Sequence, residues 1–306
     1  MKIQSSRWAT SEFPEAAHLV WWRRKAADTK EEHMPLITIT QSIGCDGLAV
    51  AQRVAESLNT ALYDDYKLRN ETGQMTLHSR KLIREFKEEA PSWFIRLMGE
   101  PEIYLKLIES TVLEIASRGE GVIIGHGSQV LLQDFGCAMH VLISASEDQR
   151  ISNLMRQLQV SQGDAKKLTH QSDKQNKEFF SYAYHRDWND PALYDLCINP
   201  GKMGIERAVQ LVIETAQYPE MQACSINARE AIERLSQIKR IETYLLELDL
   251  RPLGLKVTIP KKGLMRIAGI IHDPEDRLRL EHAARSIPGI EEVQVGVMLV
   301  PDGYTS

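Results

Sequence analysis

The sequence is short of the features that mark membrane, secreted and nucleic-acid-binding proteins. No apolar run approaches the roughly 20 residues that a membrane-spanning helix needs. The 306-residue chain has a formal net charge of −5 and a pI near 6.0, so it lacks an overall basic field. The first 33 residues contain no continuous apolar core of the kind found in signal peptides. We therefore expect a cytoplasmic protein with no transmembrane segment and no nucleic-acid partner.

Cysteine is also scarce, and it is not arranged for cross-linking or for zinc. The four cysteines, Cys45, Cys137, Cys197 and Cys224, are far apart, and no C-x-x-C pair occurs. That spacing is typical of reduced thiols in a cytoplasmic protein. We therefore predict neither a disulfide framework nor a metal site built by the chain itself.

What remains is the composition of an ordinary globular protein. Hydrophobic residues make up 43% of the chain and charged residues 26%, and 306 residues can bury a sizeable core. A chain of this length suggests two domains. We expect residues 1–33 to be a disordered extension, although HLVWWRRKAADTKEEH could also form a short amphipathic helix.

Strand-like and helix-like segments alternate between Leu36 and about Gln217. Apolar runs predict strands, and apolar residues at helical spacing predict helices. The predicted strands are Leu36–Thr40, Ala61–Tyr63, Val122–Ile124, Met139–Ile143 and Leu193–Asn199, and the predicted helices include Asp46–Leu58, Pro101–Arg118 and Gly204–Ala216. Repeated strand–helix units indicate an α/β fold, with a parallel sheet that helices cover on both faces.

A second, smaller unit follows a segment that has little periodicity. The pattern predicts the order helix, strand, strand, helix, strand over Ala228–Leu248, Leu255–Ile259, Leu264–Ile271, Pro274–Ser286 and Glu292–Val300. This order and size indicate a small α+β domain. We therefore divide the chain into an extension at 1–33, an α/β domain at 34–217, a linker at 218–227 and an α+β domain at 228–306.

The segment ITITQSIGCDGLAVAQRVAE, at Ile37–Glu56, is laid out like a phosphate-binding loop. Gly44 and Gly47 let the backbone curl around an anion, and the helix that follows offers N–H groups and the positive end of its dipole. The usual lysine is missing, because Leu48 and Ala49 stand where Lys and Ser or Thr are expected. Any tight strand-to-helix turn also favours glycine, so the loop alone leaves phosphate binding open.

Five segments together resemble the cytidylate kinase-like family, a branch of the P-loop nucleoside monophosphate kinases. They are the loop ITITQSIGCDGLAVA, LYDDYKL at Leu62–Leu68, GVIIGHG at Gly121–Gly127, SDKQNK at Ser172–Lys177 and DWNDPALYDLCIN at Asp187–Asn199. The last segment is the most specific, since nine of its thirteen residues agree with the family pattern D-W-x-D-P-x-x-Y-D-L-x-I-N. The resemblance covers roughly Leu36–Gln217.

The resemblance implies a five-stranded parallel sheet, a region that binds the nucleoside monophosphate, and a mobile lid. It implies transfer of the γ-phosphate of ATP to CMP, dCMP or a related monophosphate, with Mg²⁺ and arginines neutralising the charge. Three groups of residues acquire implied roles. The ATP phosphates would contact Gly44, Cys45, Asp46, Gly47 and Leu48; the acceptor would contact Asp64 and His126; and the lid would contain Asp173, Lys174, Lys177 and Asp190.

The sequence departs from the family pattern at its basic positions. The family arginines correspond to Gln41, Leu48, His126 and Asn176. One arginine of this kind can be worth several powers of ten in rate. The basic residues that remain near the lid, and that we take as candidates for catalysis, are Arg150, Arg156 and Arg186, with His185, Lys174 and Lys177 nearby. Lys177 follows the position of the missing lid arginine, and on a helix its side chain points about 100° away.

Several candidate residues have an ordinary structural alternative. Asp46 replaces the middle glycine of the loop and would place a carboxylate where phosphate oxygens sit, but it could also hold Mg²⁺ or cap the next helix. Asp64 and Asp65 could orient the acceptor or a metal-bound water, or cap a helix. His126 could contact a substrate phosphate or base, or simply lie in a turn.

The remaining candidates are weighed in the same way. Asp173 and Asp190 could organise the lid or form surface salt bridges. Cys45 stands at a helix start, where thiol pKa values fall, but it replaces a family serine and has no nearby sequence partner. The residues expected to pack in the core around the last strand are Trp188, Tyr194 and Leu196.

The segment Arg240–Val300 resembles a BON domain. The resemblance rests on the turn KKGLMRIAGII and on the helix end SIPGIEEV. It implies a domain without catalytic residues that binds a protein or lipid partner. Lys261, Lys262 and Arg266 could form a small basic edge or only a solvated turn.

Two functions follow from these observations. One is an active nucleoside monophosphate kinase with a variant site. The other is a catalytically weak or inactive nucleotide-binding module, a pseudo-kinase with the BON-like domain as its output. Arg150, Arg156 or Arg186 directed at the loop would favour the first function, and a loop closed over by Leu48 and Asp46 would exclude it.

Overall fold

The computed structural model describes residues 36–75, 101–136, 138–218, 226–248 and 253–300, together with positions 221 and 250. The predicted extension at 1–33 and most of the predicted linker lie outside the described residues. Within the described ranges, none of the helices combines the length and the apolar character that crossing a membrane would require.

The larger part is built on a five-stranded parallel sheet. Its strands are β1 (Leu36–Gln41), β2 (Leu62–Tyr63), β3 (Gly121–Ile124), β4 (Ala138–Ile143) and β5 (Leu196–Ile198), in the order β2-β3-β1-β4-β5. Every pairing is parallel, and β1 lies in the centre between β3 and β4. The predicted α/β fold is confirmed. Strand β5 is shorter than predicted because Pro191–Leu193 forms a 3₁₀ turn before it.

Helices cover this sheet, and both of its faces are buried. The helices are α1 (Gly47–Ser57), α2 (Asp65–Met75), α3 (Pro101–Arg118), α4 (Ser128–Leu131), α5 (Glu147–Leu158), α6 (Gln162–Tyr184), α7 (Pro200–Met203) and α8 (Ile205–Ala216). Ile37 and Ile39 of β1 enter one core with Val50 of α1 and Val212 of α8. Leu36 enters a second core with side chains of α3. Each fully buried aliphatic side chain contributes roughly 1.5–3 kcal/mol of transfer free energy.

A three-stranded sheet forms the smaller part of the described chain. It consists of β6 (Leu253–Lys261), β7 (Leu264–Ile271) and β8 (Glu292–Leu299), with β6 antiparallel and β8 parallel to the central β7. Helices α9 (Ile226–Glu247) and α10 (Pro274–Arg285) share its apolar core. The predicted order of helices and strands is therefore confirmed.

Helix α9 serves both sheets. Ile232 belongs to the core beneath the large sheet, whereas Ile241 and Leu245 belong to the core of the small sheet. The helix packs along α3, and two ion pairs connect the helices: Lys239–Glu109 at 2.9 Å and Arg240–Glu114 at 3.2 Å. One continuous helix therefore joins the two sheets, and it begins inside the predicted linker.

Candidate functional site

The loop between β1 and α1 is held against the end of β4. The Ser42 N–H donates to the Ile143 carbonyl at 3.2 Å, and the Cys45 N–H donates to the Ser42 carbonyl at 3.3 Å. Gly44 has a φ of +79°, and a Cβ there would lie 2.7 Å from the Arg150 carbonyl oxygen. A side chain at this position would collide with α5, so the course of the loop requires glycine.

Gly47 is required for a different reason. A Cβ at this position would lie 2.6 Å from Oε1 and 2.7 Å from Cβ of Gln41. The Gln41 side chain is thus packed directly on the Gly47 backbone. The start of α1 therefore has a neutral amide lying beside it, at a position where the family resemblance implies arginine.

The Asp46 carboxylate is turned away from the first turn of α1. Asp46 has a φ of 61°, and its side chain makes no capping hydrogen bond to the helix. It accepts instead from Nδ2 of Asn153 at 3.0 Å and from Nε2 of Gln157 at 2.7 Å, both on α5. The interpretation of Asp46 as a helix cap is therefore wrong, because α5 offers two amide donors to its carboxylate. Helix α1 begins without a capping side chain and without an acidic residue in its first turn.

Cys45 points into the core rather than into the site. The residue is 1% exposed, and its Sγ–H donates to the Ile143 carbonyl at 3.2 Å. Burial raises the pKa of this thiol to about 11. The predicted contact of Cys45 with ATP phosphates does not involve its side chain, and the reactive-thiol alternative is wrong because a buried thiol stays protonated.

A cavity of about 430 Å³ opens at the carboxyl ends of β1 and β3. In parallel α/β sheets, ligands bind beyond the carboxyl ends of the strands. Helix α6 closes the opposite side. The lining residues are Thr40, Gln41, Leu48, Asp64, Asp65, Tyr66, Ile124, Gly125, His126, Ser172, Gln175, Asn176, Phe180 and Trp188. This cavity is the candidate functional site.

The departures from the family pattern meet in this cavity. Gln41, Leu48, His126 and Asn176 come from four separate segments, and all of them line it. Lysine and arginine are missing from the described lining, whereas Asp64 and Asp65 both contribute carboxylates. The cavity of this chain is therefore neutral to acidic at the positions where the resemblance implies positive charge.

Asp64 and Asp65 play different structural parts at the end of β2. Oδ1 of Asp64 accepts the Lys67 N–H at 2.9 Å, which caps the start of α2. The Asp65 carboxylate lies against Nε2 of His126. The capping alternative is thus observed for Asp64, whereas the Asp65 carboxylate contacts the His126 imidazole at the cavity wall.

The turn after β3 fixes the position of His126. Three successive residues have positive φ: Gly125 at 80°, His126 at 59° and Gly127 at 71°. The Tyr184 hydroxyl donates to the His126 carbonyl at 3.0 Å, and a Cβ on Gly127 would lie 2.2 Å from the Tyr184 ring. This packing buries the His126 side chain to 1% exposure. His126 therefore lies in a turn at the end of β3, as one of the two alternatives predicted, and its side chain is buried against Asp65.

The three arginines proposed for catalysis lie outside the cavity lining. Arg150 reaches the loop, since its Nε donates to the Ile43 carbonyl at 2.8 Å. Its two terminal nitrogens, however, form a bidentate pair with Asp173 at 3.0 and 2.7 Å. Arg156 donates to Oδ1 of Asn153 at 3.1 Å, and Arg186 is exposed. The described geometry directs only Arg150 toward the loop, with its charge neutralised.

The predicted lid segment Ser172–Lys177 is part of the continuous helix α6. Asn176 lines the cavity, whereas Lys174 and Lys177 are exposed and lie outside its lining. Lys174 lies 3.9 Å from Glu178, four residues along the helix. Asp190 is placed elsewhere, because it caps the 3₁₀ turn by accepting the Ala192 N–H at 3.0 Å. Of the predicted lid acids, Asp173 forms the ion pair with Arg150.

The sequence did not reveal the aromatic side of the cavity. Trp188 is 2% exposed, as a core residue should be, yet it also lines the cavity. The Tyr194 hydroxyl donates to the Trp188 carbonyl at 2.5 Å and accepts from Gln129 at 3.1 Å, and burial raises the pKa of Tyr194 to about 12. The D-W-x-D-P motif was the available signal, because it places a tryptophan next to the predicted lid.

Comparison with known proteins places the chain in a family. Residues 36–202, which are more than half of the chain, match the family described as "Cytidylate kinase-like family". The chain therefore belongs to the cytidylate kinase-like family, and the five-stranded parallel sheet is the fold that the resemblance predicted. No curated protein matches the sequence.

Several solved structures are similar to the chain at low identity. A structure titled as an uncharacterized protein from Eubacterium ventriosum ATCC 27560 is 21% identical, covers 60% of this chain and 99% of its own, and has a TM-score of 0.48. The shikimate kinase from Acinetobacter baumannii in complex with shikimate is 16% identical (63% and 98% covered, TM-score 0.36). A gluconokinase from Sinorhizobium meliloti 1021 is 9% identical (61% and 100% covered, TM-score 0.34). Similarity at this level carries no inference about substrate.

Proposed function

We propose that this member of the cytidylate kinase-like family is a nucleotide-binding module that transfers phosphate weakly or not at all. The observation that carries the proposal is the described cavity lining, which contains two carboxylates and neither lysine nor arginine. Transfer of the γ-phosphoryl group depends on concentrated positive charge at the reacting oxygens. A cavity of this composition is poorly suited to supply that charge.

The loop geometry supports binding of the ATP phosphates. Helix α1 has no capping side chain and no acidic residue in its first turn, and a helix N-terminus of this kind attracts anions. The Asp46 carboxylate, which would repel phosphate, is engaged by Asn153 and Gln157 on α5. Binding would therefore depend on backbone N–H groups and the helix dipole rather than on side-chain cations.

The site fits Mg²⁺ only when the ion binds together with a nucleotide. The described residues contain no group of three or more His, Cys, Asp or Glu side chains that could hold a metal ion. Mg²⁺ is commonly held by one or two carboxylates together with substrate phosphates. Asp64 and Asp65 are the carboxylates of the described cavity lining, and a bound ion would neutralise part of the phosphate charge.

The small domain would be the output of the module. It corresponds to the BON-like segment, and a protein or lipid partner is the ligand that we propose for it. Helix α9 supports this arrangement, because it packs on α3 of the nucleotide-binding part and also contributes Ile241 to the core of the small sheet. We also propose that the protein is cytoplasmic.

An active nucleoside monophosphate kinase is the second candidate, and Arg150 favours it. Its guanidinium already contacts the loop through the Ile43 carbonyl. Opening of the Arg150–Asp173 pair, with movement of α6, would release a cation beside the ATP phosphates. CMP or dCMP would then be the phosphate acceptor.

The test is ATP consumption by the full chain with Mg²⁺ and each of CMP, dCMP, UMP and AMP. We expect no turnover above that of Gly47→Glu, a variant that fills the loop. Leu48→Arg and Asn176→Arg, which place arginines at two cavity positions, should raise turnover if charge is the missing element. Turnover of the unmodified protein that needs one monophosphate and is lost in Gly47→Glu would establish the kinase instead. Circular dichroism of each variant controls for folding.

A further inference from the structure

The polar groups beside the loop indicate what kind of molecule the cavity accepts. Asp64 and Asp65 present carboxylate oxygens, which accept hydrogen bonds. On the opposite wall, α6 presents the Ser172 hydroxyl and the amides of Gln175 and Asn176, which donate and accept but carry no charge. The cavity is therefore equipped for a ligand with hydroxyl and amino groups.

The same carboxylates act against a phosphate. A phosphate monoester carries a charge of about −1.5 to −2 near pH 7. Asp64 is held at the cavity by its bond to the Lys67 N–H, and Asp65 by its contact with His126, so neither can simply swing away without losing that contact. Since the described lining has no lysine or arginine to offset them, the two carboxylates should repel a monophosphate.

The remaining walls suit a flat, partly apolar molecule. Ile124, Phe180 and Trp188 contribute apolar and aromatic surface, and about 430 Å³ lies within the usual range for small-molecule sites. Thr40, which is 5% exposed, also lines the cavity, and its Oγ1 lies within hydrogen-bonding reach of the Tyr194 hydroxyl. The Tyr194 hydroxyl beside it already donates to the Trp188 carbonyl.

We propose that the cavity binds an uncharged nucleoside beside the loop, in preference to the corresponding nucleoside monophosphate. The sugar hydroxyls and the amino group of the base would donate to Asp64 and Asp65, and the base would lie against the aromatic wall. This proposal rests on the proposed function, because the loop supplies the neighbouring site for a nucleotide phosphate.

Isothermal titration of the full chain tests the preference directly. Cytidine, deoxycytidine, uridine and adenosine are each compared with their 5′-monophosphates, once with EDTA and once with Mg²⁺. We expect at least one nucleoside to bind about tenfold or more tightly than its own monophosphate, and the ratio to fall at high salt because screening weakens the repulsion. The proposal is overturned if, in either condition, every monophosphate binds as tightly as its nucleoside or more tightly. The absence of binding by every nucleoside at millimolar concentration also overturns it.

Two isosteric variants and a matched control assign the effect to the cavity. Asp64→Asn keeps a side chain that caps helices well, and Asp65→Asn keeps the shape of the residue that faces His126. Each should lower the nucleoside-to-monophosphate ratio several-fold. Asp134→Asn, at an exposed position outside the cavity lining, should leave the ratio unchanged. An unchanged ratio in both cavity variants overturns the proposal, even if the unmodified protein shows the preference.

A separate titration distinguishes failure of this inference from failure of the proposed function. A non-hydrolysable ATP analogue is titrated against the unmodified chain and against Gly47→Glu. Absence of analogue binding to the unmodified chain, with the nucleoside preference intact, would remove the proposed function and leave the cavity assignment standing. Analogue binding that depends on Gly47, together with a preference for monophosphates, would support the proposed function and overturn the cavity assignment.

Discussion

The ion pair between Arg150 and Asp173 offers the sharpest test of how helix α6 is attached to the loop. Arg150 lies on α5 with its side chain 8% exposed, and it contacts both the Ile43 carbonyl and the Asp173 carboxylate of α6. Arg150→Met keeps much of the side-chain length but removes the charge and all three hydrogen bonds. Asp173→Asn keeps the shape and removes the negative charge.

The expected losses of unfolding free energy follow from the burial and the geometry of the two side chains. Hydrogen bonds to charged groups contribute roughly 1.5–3 kcal/mol, but Asp173 is 39% exposed and solvent screens part of its interaction. We therefore expect Asp173→Asn to lower the free energy of unfolding by about 1–2 kcal/mol. Arg150→Met should lower it by about 2–3 kcal/mol, because it also removes the bond to the loop carbonyl.

Urea unfolding of the two single variants and of the double variant measures these changes and the coupling between the residues. Because the two side chains contact one another directly, the double-mutant cycle should give a coupling energy of about 1 kcal/mol. Single-variant losses below about 0.5 kcal/mol, together with no coupling, would show that the pair does not stabilise the protein, since changes of that size are expected at sites without specific contacts. The loop would then not be connected to α6 through this pair in solution.

Three further predictions concern single residues. Alkylation at mildly alkaline pH should modify exposed Cys197 and spare Cys45, because burial raises the pKa of the Cys45 thiol to about 11. Modification of both cysteines at equal rates in the folded protein would contradict the buried position of Cys45. Gly127→Ala should lower the free energy of unfolding by more than Gly125→Ala. Both positions have positive φ, but of the two only Gly127 has a ring, that of Tyr184, 2.2 Å from the new Cβ. Equal decreases in unfolding free energy, measured with urea, would contradict this packing. Burial lowers the pKa of His140 below its ordinary 6.5, so its contribution to stability is complete above that pH and is lost as the pH falls toward the folded-state pKa. The decrease in unfolding free energy from about pH 7.5 to pH 5 should be smaller in His140→Gln, and an identical decrease would exclude this role.

The secondary structure of both sheets was accessible from the sequence because it depends on local apolar pattern. The strands of the large sheet are short apolar runs, and β7 was predicted with its observed bounds, Leu264–Ile271. The sequence pattern did not predict that α9 packs into the cores of both sheets. Periodicity marks Ile232 and Ile241 as apolar positions, but it cannot show that they enter two different cores.

The candidate site was predictable in its residues but not in its geometry. The missing arginines could be read from Gln41, Leu48, His126 and Asn176, yet only the fold brings these positions to one cavity. The orientation of Asp46 was missed because its amide partners lie more than one hundred residues away on α5. A helix cap is a local interaction, whereas this carboxylate is satisfied by long-range contacts.

In the function proposed above, the loop binds nucleotide phosphate through its backbone and the protein transfers that phosphate weakly or not at all. The most direct measurement is nuclear magnetic resonance of one sample that contains the full chain, ATP, Mg²⁺ and CMP. We expect amide shifts for the loop residues 43–49 on addition of ATP, with a γ-phosphorus signal that persists about as long as in buffer alone. Rapid loss of that signal with matching formation of CDP would contradict this function by showing efficient transfer. Unshifted loop amides at millimolar ATP would contradict it by showing that the loop does not bind the nucleotide.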